Sequence, residues 1–231
     1  MRLSAALPAL LGLTLLCSCA DTPAYRLLYP VQASKQEIVR LEGTRLLTTD
    51  TAPKTALIVL NNPVAAYVDI AFAIENTTAA PLLLERLPAA RLKSGPLNVL
   101  EKAAYDTRFK SGERYVRPDG YERLVPQMQA FGCAAPNHGD TLQEAHLGSA
   151  PKTVWNRYRR YREEGSSDAA AYFTPMRLEP GETRGAIIRI DLPETALSKQ
   201  RETMLLTLCP TGRSCEKIRL VLQPLDASEA K

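Results

Sequence analysis

Apolar and polar residues alternate near both ends of this chain and fall at helical spacing in its middle. From Val64 to Glu75, Val68, Ile70, Phe72 and Ile74 alternate with Asp69, Ala71, Ala73 and Glu75. Period two predicts a strand with one buried and one wetter face. Before it, Leu57-Ile58-Val59-Leu60 reads as a short apolar strand ended by Asn61-Asn62-Pro63. After it, the turn residues Asn76 to Pro81 break the run, and Leu82–Leu84 and Ala90–Leu92 follow as strands. Toward the C-terminus, Ala186–Leu192 places Ile188, Ile190 and Leu192 on one face, with Arg189 and Asp191 on the other. Thr203–Cys209 and Cys215–Gln223 read as a hairpin around Pro210–Ser214, with Ile218, Leu220 and Leu222 alternating against Lys217, Arg219 and Val221.

The middle is different. A short strand, Pro96–Val99, leads into a helix carrying Leu100, Ala103, Ala104 and Thr107. Gly112, Pro118-Asp119-Gly120 and Pro126 then punctuate the chain, and residues 131–151 read as a long loop. Lys152–Glu164 is the strongest helix: Val154, Tyr158 and Tyr161 share a face with Trp155 beside it, while Arg157, Arg159, Arg160 and Arg162 fall largely elsewhere. Residues 20–54 read as a mobile tether with one ordered piece, Gln36–Leu41. That piece is a strand, or a short helix given the capping-box spacing of Ser34 and Glu37. Neither β-rich end is large enough to bury a good core alone. The expectation is one mainly β domain over residues 55–231, with a helical and loop insertion at about 97–173.

The first residues place this domain. Arg2 is the only charge before Asp21, and Leu3–Leu16 is apolar apart from Ser4 and Thr14. This is a signal-peptide pattern over residues 1–18, too short to span a bilayer comfortably. Leu16-Cys17-Ser18-Cys19 resembles the lipobox of bacterial lipoproteins. The resemblance implies cleavage before Cys19, lipidation of Cys19 and a lipid-anchored tether over residues 19–54; several acyl chains hold stably where one holds marginally. Cys17 fits less well as the lipid site, because Leu16 would take the small-residue position; an ordinary secretory signal is the other alternative. In Gram-negative lipoproteins an Asp directly after the lipidated Cys retains the protein at the inner membrane. Ala20 stands there, with Asp21 one later, which implies the periplasmic face of the outer membrane. The strand, polar turn and proline around Val64–Leu84 resemble the opening of immunoglobulin-like β-sandwiches in bacterial envelope proteins, which implies that fold.

Composition narrows the chemistry. A net charge of +4 with both signs mixed is no nucleic-acid signature. Of five cysteines, Cys17 leaves with the signal and Cys19 carries lipid. Cys209 and Cys215 flank the last hairpin loop, and facing antiparallel positions lie within disulfide range. Pairing of Cys133 with either, or three reduced buried thiols, are the alternatives. Cys133, His138, Asp140 and His146 are the only candidate Cys/His cluster; they match no zinc spacing and no cysteine-protease signature. No P-loop, nucleophile elbow, zincin or dinucleotide motif is present, so neither cofactor nor metal is expected. Trp155, Arg157, Arg159 and Arg160 are candidate binding residues for a glycan, lipid head group or protein. The alternative lays Val154, Tyr158 and Tyr161 on the sheet and leaves the arginines solvated. The expected role is a non-enzymatic binding or assembly module with an envelope protein partner. The alternatives are a hydrolase or thiol enzyme in the 131–151 loop, and a glycan or lipid binder using the Trp155–Arg162 helix.

Overall fold

The computed structural model describes residues 25–112, 115, 117–118, 120–133, 147–164, 169–193 and 200–225. The fold is mainly β. Its strands are β1 (Arg26–Pro30), β2 (Gln36–Leu41), β3 (Thr44–Thr49), β4 (Lys54–Val59), β5 (Tyr67–Glu75), β6 (Leu82–Leu84), β7 (Ala89–Leu92), β8 (Gly95–Leu97), β9 (Met176–Leu178), β10 (Thr183–Asp191), β11 (Glu202–Leu208) and β12 (Glu216–Pro224). Among the described residues three α-helices, α1 (Lys102–Lys110), α2 (Tyr121–Ala130) and α3 (Ser149–Glu164), and a short 3-10 turn at Ala169–Ala171 come between β8 and β9. The strands pair antiparallel in two five-stranded sheets, ordered β1-β12-β11-β7-β8 and β10-β5-β4-β3-β2, with β6 and β9 as a separate pair.

The alternating residues build one core. Leu28, Met204, Leu206, Ile218, Leu220 and Leu222 of the first sheet share a cluster with Leu57, Val68, Ile70, Phe72, Ile188 and Ile190 of the second. The hairpin β11–β12 closes as its spacing predicts, and Cys209 and Cys215 are bridged across it with Cα atoms 4.2 Å apart. Asn76 holds its own turn, donating to Ala80 O at 2.9 Å and accepting from Thr78 N at 3.1 Å.

Three expectations are corrected. Residues 26–49, read mostly as tether, supply three strands. Leu27 and Leu28 are fully buried, and β2 and β3 join through Glu42-Gly43, both at positive φ as a tight hairpin turn requires. Second, α2 forms where only punctuation was expected: Leu124 and Met128, one turn apart, pack with Leu27, Tyr29 and Val221 in a second cluster, and this burial outweighs Pro126 inside the helix. Third, the wetter faces of β5 and β10 are dry. Ala71 and Ala73 are fully buried; α3 packs on β4, β5 and β10.

The third correction buries charge. Asp69 and Arg189 stand directly opposite in the β5–β10 ladder and are 0% and 2% exposed. Arg189 donates from Nε to Asp69 Oδ1 at 2.7 Å and from Nη2 to Oδ2 at 2.8 Å. Its guanidinium lies 3.8 Å from the centre of the Tyr67 ring, and Asp69 N donates to Asn61 Oδ1 at 2.6 Å. The Tyr172 hydroxyl accepts from Arg189 N and donates to Leu100 O at 2.7 Å. Burial works to lower the Arg189 guanidinium, and the hydrogen bonds and charge of Asp69 overcome it, leaving it above the ordinary arginine value.

The docking of α3 is close. A Cβ at Gly185 would lie 2.8 Å from Thr153 Cγ2 and 3.1 Å from Phe72 O. Gly185→Ala should therefore cost about 1–3 kcal/mol in urea unfolding, and Thr153→Ser should restore part of it. Asp69→Leu or Arg189→Met alone should cost about 3–5 kcal/mol, since each strands a buried charge or donor set. The double variant should cost far less than the sum of the singles; an additive double would show that the pair acts as two separate residues.

Candidate functional site

A cavity of about 300 Å³ lies where β1 of one sheet meets β3 and the end of β4 of the other, with α2 and the C-terminal half of α3 also lining it. That is the lower end of the size range of ligand pockets. Its walls hold five tyrosines, Tyr29, Tyr115, Tyr121, Tyr158 and Tyr161, and three arginines, Arg45, Arg117 and Arg162. Leu28, Val59, Leu60, Val125 and Met128 supply the apolar wall. Among the described residues no carboxylate lines it.

Each wall is tied to the fold. Asn62 caps β1 from the side: Leu28 N donates to its Oδ1 at 3.0 Å and its Nδ2 donates to Leu28 O at 2.8 Å. The Tyr115 hydroxyl donates to Asn62 O at 2.9 Å. On α3, Tyr158 and Tyr161 turn inward as their spacing predicts. Thr44 Oγ1 donates to the Tyr158 hydroxyl at 2.8 Å and Arg162 Nη1 approaches the same oxygen at 3.3 Å. The Tyr161 hydroxyl lies 3.4 Å from Asp69 Oδ2, so the cavity wall reaches the buried ion pair.

The arginines lie over tyrosine rings. Arg45, Arg117 and Arg162 sit 4.7, 5.0 and 5.9 Å from the ring centres of Tyr29, Tyr121 and Tyr158. Such stacking uses the flat face of the guanidinium. Among the described residues none of the three makes an ion pair. Arg45 Nε is buried without a hydrogen-bond partner, and across the β2–β3 ladder Arg45 faces Arg40, a like charge.

Burial pushes Tyr29, Tyr115, Tyr121 and Tyr161 above the ordinary tyrosine value, and at Tyr161 the Asp69 charge adds to it. Cys133 also lines the cavity, half-buried and free. Burial pushes its thiol up to about 12, against the pull of Arg45 and Arg40. This is the opposite of the low value that makes a cysteine a nucleophile at neutral pH.

The other candidate residues fall as follows. Trp155 is 1% exposed and stacks on Tyr158 at 5.2 Å, so it belongs to the core rather than to a binding surface. Arg157 donates to Gly185 O at 2.8 Å, fastening α3 to β10; Arg159 and Arg160 are exposed. Cys19, His138, Asp140 and His146 lie outside the described residues. Among the described residues no group of three or more His, Cys, Asp or Glu is placed to hold a metal, and no helix is long and apolar enough to cross a membrane. The cavity was missed in the sequence because its lining comes from segments far apart; the one local signal was Tyr121, Leu124, Val125 and Met128 at helical spacing.

No protein-family model, curated protein or solved structure matches this chain.

Tyrosines with raised values bind their protons more tightly folded than unfolded. Their contribution to stability is full below about pH 10 and falls as pH rises above it. Tyr115, Tyr161 and Tyr172, the most strongly raised, should ionise only as the protein unfolds. Tyrosinate absorbance should rise in two phases, the second coinciding with loss of circular dichroism; a single early phase would show these phenols to be wet.

Proposed function

We propose that this chain is a non-enzymatic binding module, an immunoglobulin-like β-sandwich held by lipid on Cys19 at the periplasmic face of a bacterial outer membrane, serving an envelope complex. The cavity is the observation that carries the binding role. Tyrosine faces, apolar side chains and arginines without ion pairs are groups that hold a ligand. The one thiol among them sits well above the range of a nucleophile. Two five-stranded antiparallel sheets with a common core support the sandwich reading. Leu16-Cys17-Ser18-Cys19 followed by Ala20 supports the anchor and its address. The arginine-rich helix contributes through Tyr158, Tyr161 and Arg162, not through the Trp155 side expected to do so.

The anchor is tested by metabolic labelling with an alkynyl fatty acid in a Gram-negative host. The wild type should be labelled and fractionate with the outer membrane. Cys19→Ala should lose the label while Cys17→Ala keeps it. An unlabelled, soluble wild type would remove the anchor. The module is tested by crosslinking in cells and purification from detergent: an envelope protein should be recovered with the wild type across growth conditions, and consistent recovery of none would oppose it.

A further inference from the structure

The cavity has a charge that the fold leaves unanswered. Arg45 rises from β3 with a buried, unpartnered Nε, opposite Arg40 on β2, and both lie close enough to bear on the Cys133 thiol. Like charges facing each other across a ladder are unfavourable, and a buried donor without an acceptor costs more than an exposed one. Arg117 and Arg162 add two exposed guanidinium groups to the same lining. Glu42 and Glu122 lie in the neighbourhood, near enough to influence Arg162 and Tyr121, but neither lines the cavity. Burial raises Tyr29, Tyr115, Tyr121 and Tyr161, so these phenols add no negative charge to the lining in ordinary conditions. Beside the cations stand flat tyrosine faces and the apolar surface of Val59, Val125 and Met128.

We propose that the cavity is the binding site of a small organic anion, with its carboxylate or phosphate head on Arg45 and its ring-sized body against the tyrosines. An anion there answers the positive charge of Arg45, which has no ion pair among the described residues, and offsets its repulsion from Arg40. Guanidinium groups already stacked on rings are held in place, so little freedom is lost when the head is gripped. The volume of about 300 Å³ limits the occupant to one ring-sized unit rather than a polymer. Arg117 and Arg162, exposed, draw the anion in and are screened by salt.

This rests on the binding-module reading, and the test separates the two. Calorimetric titration of the full chain in mild detergent uses phenyl phosphate, benzoate and glucuronate, with benzyl alcohol and glucose as neutral matches. At least one anion should bind, its neutral match should bind at least tenfold more weakly, and added salt should weaken the anion. Arg45→Gln should lower anion affinity about tenfold or more, as for a lost hydrogen bond to a charged group; Arg45→Lys should recover part of it. Arg91→Gln, on the exposed outer side of β7, should change nothing. Should Arg45→Gln not fold, Arg117→Ala/Arg162→Ala carries the test, because both positions are exposed: it should lower anion affinity and flatten its salt dependence, and unchanged affinity and salt dependence would overturn the anion site. Equal binding of neutral and anionic probes would overturn the anion while keeping the pocket. No binding of any probe at millimolar concentration would overturn the ligand class, while a crosslinked envelope partner would still keep the module. Equal losses from Arg45→Gln and Arg91→Gln would overturn the site.

Discussion

Two opposite charges without water, Asp69 and Arg189, hold the centre of this molecule. Desolvating such a pair costs several kcal/mol per ion, repaid only by close geometry and further hydrogen bonds. Here both conditions are met by surroundings drawn from every part of the fold. The β5–β10 register sets the two residues face to face. Tyr161 reaches them from α3, Tyr105 of α1 lies with its ring centre 5.1 Å from the guanidinium, and Tyr172 takes up the Arg189 backbone N–H. Tyr105 and Tyr172 stack at 4.0 Å. A slip of one residue in β5 would turn Asp69 away and bring an apolar residue under the helices. The pair therefore couples strand register to helix docking.

The positions that alternate cleanly in the sequence are the ones that meet between the two sheets: Val68, Ile70 and Phe72, Ile188 and Ile190, Ile218, Leu220 and Leu222. Period two reports side-chain direction, and that much was legible. What it does not report is what covers the opposite face. Asp69 and Arg189 look like solvent-facing charges because their partners are 120 positions apart and the helix above them lies in between. Pro118-Asp119-Gly120 just before α2 and Pro126 inside it are strong local breakers, and they hid Tyr121, Leu124, Val125 and Met128 at correct helical spacing. In β1 and β3, runs of five or six residues offered too little alternation to be told from an extended linker.

The disulfide was legible because it is local: a six-residue separation around a turn leaves little choice of partner. The cavity was not, because Tyr29, Arg45, Asn62, Tyr121 and Tyr161 are brought together only by the edge of one sheet meeting the other. Its position is nonetheless a product of the core. Tyr161 faces both the ion pair and the cavity, and Asn62 belongs both to the cavity wall and to the lateral hydrogen bonds of β1. A ligand held there presses on groups that also fix the first strand.

That strand begins at Arg26, and this sets a reach. Six residue steps separate Cys19 from Tyr25, the residue before it, and no chain of that length spans more than about 20 Å. Were Cys19 acylated as proposed, the start of β1 would be held within about that distance of the lipid head groups. Leu28, in the cavity wall, lies only two residues beyond the start of β1, so on that proposal the ligand of the cavity would be met near the membrane surface.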